Sequence, residues 1–110
     1  MNIGKFTRET ATAAHEGTIL ASPVMPEGVR SPFDHAWGYL SGPGEMEVHK
    51  HPTQEVYFFF KGEGFVMVDG EKQAVCPGDV VDIPPDKLHT VINESENELL
   101  WAALWWPVIE

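Results

Sequence analysis

The residues best suited to chemistry lie in the stretch His49-Lys50-His51-Pro52-Thr53-Gln54-Glu55. Two histidines stand one residue apart, and a glutamate follows after three more. On a β-strand successive side chains point to opposite faces, so His49 and His51 share a face and Lys50 looks away from it. Pro52 cannot donate to a strand ladder, so it ends or bends the strand. The apolar run Val56-Tyr57-Phe58-Phe59-Phe60 begins just beyond, which lets Glu55 open a second strand and swing onto the histidine face. Two imidazoles and a carboxylate on one concave face suit a borderline divalent transition metal.

A second stretch, Gly78-Asp79-Val80-Val81-Asp82-Ile83-Pro84-Pro85-Asp86-Lys87-Leu88-His89-Thr90-Val91-Ile92-Asn93, places another histidine on another apolar strand. Together the two stretches resemble the cupin superfamily. Its first motif is matched by His49, His51, Glu55 and Gly62; the motif's leading glycine is not, since Gly42 and Gly44 stand one residue to either side of its place. Its second motif is matched by Gly78, Pro84, His89 and Asn93, with Asp86 where the motif has glycine. Aspartate tolerates a left-handed backbone better than most residues, so the turn can survive that exchange. The resemblance spans about residues 36 to 107. It implies an all-β fold, a double-stranded β-helix or jelly-roll barrel. It also implies a metal site formed by His49, His51, Glu55 and His89.

Those four ligands would fill four of about six positions around an octahedral ion, leaving room for water or a small molecule. Iron, manganese, nickel, zinc and copper all accept such donors, and affinity alone does not choose among them. A metal so held can polarise a carbonyl, sharpen a water or bind dioxygen. Glu47, Tyr57 and His35 are the candidate catalytic acid–base residues beside it. Strand alternation puts Glu47 on the face of His49 and His51, with Met46 and Val48 opposite; it sits either at a solvated rim or inside the cavity. His35 begins an apolar strand and would line the barrel mouth, whereas His15 reads as a surface residue. Tyr57, Phe59, Val91, Trp101 and Trp105 would wall the pocket, with no Arg or Lys aimed inward. That favours a small neutral, aromatic or mono-acidic ligand over a highly anionic one. Three classes of function follow: a metal-dependent dioxygenase, isomerase or lyase; a non-catalytic ligand-binding or sensing barrel; and a structural module with an unused site. Fold resemblance alone does not decide among them.

The elements that must position these residues are short strands separated by Gly, Pro and Asp turns, the signature of a two-sheet barrel. Strands are expected over 36–40, 46–51, 55–61, 65–68, 72–75, 80–83, 88–93 and 99–106. Asp69-Gly70 marks a tight type I′ hairpin. Residues 1–35 read as an arm belonging to the same domain, weakly helical over 7–15 and with one or two short strands near Gly17 to Ser22; residues 36–110 form the barrel.

A chain of 110 residues with 43% hydrophobic content has the length and apolar content of one ordinary domain. A net charge of −10, with only seven Lys and Arg and no cluster of them, argues against nucleic acid or an anionic membrane as partner. No run of 18 apolar residues offers a membrane span, and the first residues lack an apolar signal core. The single cysteine, Cys76, fits a reducing cytoplasm and reads as a small buried hydrophobe. Val56, Phe58 and Phe60 face away from the site and need a cover. The arm could supply it through Ile3, Phe6, Ile19 and Leu20, or a second copy could, and cupins generally dimerise through such a sheet. The expectation is a homodimer.

Overall fold

Strand propensity and turn chemistry translate directly into chain order. The computed structural model, which describes residues 1–108, has β1 (Thr12–Ala14), β2 (Ile19–Ser22), β3 (Asp34–Ser41), β4 (Gly44–Glu45) and β5 (Gln54–Lys61). β6 (Gly64–Val68), β7 (Glu71–Val75), β8 (Val80–Ile83), β9 (His89–Asn93) and β10 (Glu98–Trp106) complete it. The last two residues of the expected 36–110 barrel lie outside the described residues. All pairings are antiparallel, in a six-stranded sheet ordered β1-β2-β3-β10-β5-β8 and a four-stranded sheet ordered β4-β9-β6-β7. This is the all-β jelly-roll barrel that the sequence implies. The type I′ hairpin is present, with φ of 50° at Asp69 and 83° at Gly70. Residues 7–11 form a hydrogen-bonded turn, not a helix.

The inner faces of the two sheets meet in a core of Leu40, Phe59, Val66, Ile83, Val91, Leu99 and Trp101. β5 shows the expected alternation: Glu55, Tyr57 and Phe59 are buried, and the residues between them are less so. Trp101, 1% exposed, lies across Gly38 on the neighbouring strand. A Cβ at Gly38 would sit 2.3 Å from that indole, so the close approach requires glycine. The motif glycine Gly62 is required for a similar reason: its φ is 83°, and a Cβ there would meet the Glu98 carbonyl at 2.1 Å.

The arm adds β1 and β2 to the edge of the six-stranded sheet beside β3. It also sends Phe6 over the outer face, stacked on Tyr39 at 5.5 Å and edge-on to Trp37 at 6.3 Å. There the Tyr39 hydroxyl donates to Glu98 at 2.7 Å and Lys61 donates to the other carboxylate oxygen at 3.0 Å, which holds the Glu98 carboxyl below its ordinary range. Ile19 instead enters the core, and Ile3 is 74% exposed. The arm therefore covers the β3 side of the face and leaves Phe60, 55% exposed, and Val80, 57% exposed, on the β5–β8 side.

Cys76 departs from the sequence reading. It is exposed, because it opens the tight turn to Asp79, whose carboxylate accepts from the Cys76 amide at 2.9 Å. The same carboxylate raises the thiol pKa, so the residue is neither a core hydrophobe nor an activated nucleophile.

Candidate metal centre

The regular strand expected over 46–51 does not form, and the reason shapes the site. Gly44 pairs with Asn93 and Glu45 with Ile92, and the Met46 amide donates to Val91 O at 2.9 Å. The next pairing is His49 with His89. Glu47 and Val48 thus oppose Thr90 alone, which is a β-bulge. The Thr90 hydroxyl caps it by donating to Met46 O. The extra residue resets the alternation. Met46, 2% exposed, takes the cavity face together with His49, while Val48 is 47% exposed. Glu47 is left at the rim with its side chain 37% exposed. Single-period alternation could not register this slip.

Below the bulge, His51 is held to the loop before β9, where Asp86 N donates to His51 O at 2.8 Å. Asp86 occupies the motif glycine's place with φ 62°, the left-handed conformation that the motif needs. Gln54 fixes the start of β5 by donating to Asp82 at 2.7 Å and to Ile83 O at 3.0 Å. Glu55 follows, 6% exposed, and points back to the histidines.

His49, His51 and His89 offer ring nitrogens that all lie within 4.8 Å of one another, a group that could hold a metal ion. Each ring is oriented by a bond from Nδ1 to a nearby carbonyl: His49 to Glu47 O at 2.8 Å, His89 to Lys87 O at 2.8 Å and His51 to Thr53 O at 3.2 Å. A carbonyl only accepts, so Nδ1 of His49 and of His89 carries the proton and their Nε2 atoms present lone pairs; His51 Nδ1 also lies 2.8 Å from the Thr53 hydroxyl, and its Nε2 is bonded to the Glu55 carboxylate. Glu55 Oε1 lies 3.0 Å from His51 Nε2 and 3.4 Å from His89 Nε2. The buried His89 Nε2 has no hydrogen-bond partner among the described residues. Lone pairs and a carboxylate this close need a proton or a cation between them. The donor set, the outer hydrogen bonds and the orphaned nitrogen all fit a divalent ion. Burial also pushes the His49 imidazole below its ordinary pKa, towards the neutral form that ligates.

The centre opens on a cleft of about 350 Å³. Tyr57, Trp101 and Trp105 line it as expected, together with Ile19, Ala21, Ala36, Ala103 and Thr53, and no Lys or Arg is among the lining residues. Phe59 and Val91 pack in the core instead of walling the cleft. Tyr57 is buried, and burial first, then the Glu55 charge, raise its phenol well above the ordinary value. His35 is not among the lining residues: its Nδ1 accepts from Val24 N at 3.0 Å, pinning the arm to β3.

His15 is the residue that sequence reasoning missed. It lines the cleft, with its ring 4.1 Å from that of His49 and Nδ1 3.9 Å from Glu47. Its φ of 52°, followed by 58° at Glu16, is left-handed, and such conformations in residues other than glycine cost on the order of 1–2 kcal/mol each. The one sequence signal was the Gly17 that follows, which marks a turn where β1 and β2 reverse.

Residues 38–107 match the family model described as a cupin domain. A cupin 2 conserved barrel domain protein from Salinispora arenicola superposes with a TM-score of 0.85 at 26% identity, covering 98% of this chain and 90% of that one. An uncharacterized protein of Methanocaldococcus jannaschii is 40% identical over 47 residues, 42% of this chain and 38% of the relative. A gentisate 1,2-dioxygenase of Aquipseudomonas alcaligenes is 34% identical over 61 residues, 54% of this chain and 18% of that enzyme. The matches thus span well under half the length of either curated relative. With a family model aligned over most of the chain and the same barrel found in a solved relative, the chain belongs to the cupin family.

Proposed function

We infer that this barrel is a metal-dependent enzyme acting on a small organic molecule. The observation that carries the reading is the convergence of three imidazole rings and the Glu55 carboxylate on one side of an apolar cleft. His49, His51, Glu55 and His89 would hold a divalent transition ion, which would supply Lewis acidity and, for a redox-active metal, electrons for dioxygen chemistry. The chain's own residues do the rest. Trp101 and Trp105 exclude water from one side and offer flat apolar surface. Tyr57, kept protonated by burial and by the neighbouring Glu55 carboxylate, can turn its O–H from Glu55 to a ligand oxygen in the cleft. Glu47 at the rim can take or return a proton. His35, with Nδ1 committed to backbone amides, supports the arm and has no direct part in this scheme. With no cationic lining side chain, the ligand's negative charge must be carried by the ion, which favours a neutral or mono-acidic molecule.

Among dioxygenase, isomerase and lyase chemistry we favour the first, since a curated relative, similar over 61 residues, is a dioxygenase. Dioxygen uptake by the iron(II)-loaded protein on a panel of small phenols and diketones tests this. Uptake that needs both metal and substrate is the expected result. Binding of the same compounds with no uptake and no product would replace the enzyme by a ligand-binding barrel. We place the protein in the cytoplasm as a homodimer, joined through the outer face of the six-stranded sheet that carries Phe58 and Phe60.

A further inference from the structure

The cleft has a second polar element that a metal reading leaves unused. The β1–β2 turn carries two successive left-handed residues other than glycine, His15 and Glu16, and it is tied down at one point. The Thr18 hydroxyl donates to His15 O at 2.6 Å and accepts from Glu47 N at 2.9 Å. One hydroxyl thus joins the strained turn to the bulge. The result is an imidazole laid over the His49 ring, at the rim of the cleft, with the Glu47 carboxylate on its Nδ1 side. Tight hairpin turns often use left-handed residues, but those other than glycine carry a cost, and here the Thr18 hydroxyl ties the turn that adopts them to the bulge. The His15 side chain remains 35% exposed, so its ring nitrogens are not sealed off by packing.

The geometry points to His15 as a ligand-contacting residue, oriented by Glu47, that reads a second polar group on the molecule bound at the histidine cluster. The ligand class follows from the lining. Its body is small and apolar, to lie against Trp101, Trp105 and Ala103. One oxygen sits at the cluster. A neighbouring oxygen or hydroxyl lies within reach of an imidazole whose centroid is 4.1 Å from that of a cluster histidine, the rings tilted by 35°. His15 is grouped with Glu47 and His49, and not with His51 and His89, among ligand atoms close enough to hold an ion, so it stands beside the main cluster and shares His49 with it. This inference rests on the metal centre proposed above.

Zinc-loaded protein, which cannot turn over with dioxygen, provides the test. It is titrated with 4-nitrocatechol and with 4-nitrophenol, which lacks the neighbouring hydroxyl. The wild type is expected to prefer the catechol. His15→Phe keeps a ring over His49 but no hydrogen-bonding nitrogen, and should lower that preference about three- to tenfold, the worth of one hydrogen bond, at unchanged zinc content. Glu47→Gln, which leaves the turn and His15 in place, should shift it the same way. It decides the matter if the phenylalanine variant does not fold. An undiminished preference in the folded variants overturns the proposal, and so does loss of zinc from His15→Phe, which would make His15 a structural support. A wild type that binds no zinc is a different failure: it removes the metal centre itself.

Discussion

Replacing His89 by alanine is expected to weaken divalent-metal binding by about tenfold or more while the barrel stays folded. His89 is 1% exposed, and its Nε2 has no hydrogen-bond partner among the described residues, so its lone pair is available to an ion. Its Nδ1 is spent on Lys87 O, which fixes the ring towards Glu55 and His51. Removing one of four donors costs at least as much as loss of an outer hydrogen bond, which alone weakens such sites about 10–100-fold. The strand should tolerate the change, because β9 is held by backbone bonds to β6 and by the backbone pair with His49. Competition with a chromophoric chelator measures the affinity, and circular dichroism checks the fold. Unchanged affinity in the folded variant would remove His89 from the centre.

The second large effect concerns assembly. Light scattering at micromolar concentration should report twice the chain mass of 12.3 kDa. Phe60 is 55% exposed in the single chain, edge-on to Trp37 at 5.2 Å, and Val80, paired with Phe58 on the neighbouring strand, is 57% exposed. Fully burying side chains of this size is worth roughly 1.5–3 kcal/mol each, so a second copy gains by covering them. A two-fold pairing is the commonest solution and should bury at least about 1,000 Å² in total. Phe60→Glu puts a charge where the monomer already meets water, so it should cost the fold little and still split the dimer. A monomeric wild type, or a glutamate variant that stays dimeric, would count against this interface.

Much of the barrel was legible because its strands obey period two and its turns use residues with one clear backbone preference. β5 alternates as read, Asp69-Gly70 makes the tight hairpin, and Asp86 takes the left-handed place of a glycine. Spacing put His49 and His51 on one side, and the resemblance to the cupin motifs added His89 to them. What escaped was non-local or irregular. Nothing in Glu47-Val48 announces a bulge, so Met46 was placed on the wrong face, while Glu47 lies at the rim beside His49. Phe59 and Val91 were placed on the correct face but too deep to reach the cleft. The part played by His15 depends on a turn docking through Thr18 onto the bulge, a contact across 29 residues that local pattern cannot show. Cys76 was misread because an apolar neighbourhood in sequence became an exposed turn.

Three imidazoles and Glu55 should together hold one divalent ion. The most direct measurement is the metal content of the protein purified without a nickel column and dialysed against metal-free buffer. About one divalent transition ion per chain is the expected result, falling sharply in His89→Ala. A wild-type chain that keeps no metal, and takes up none of iron, manganese, nickel, zinc or copper when each is offered, would contradict it.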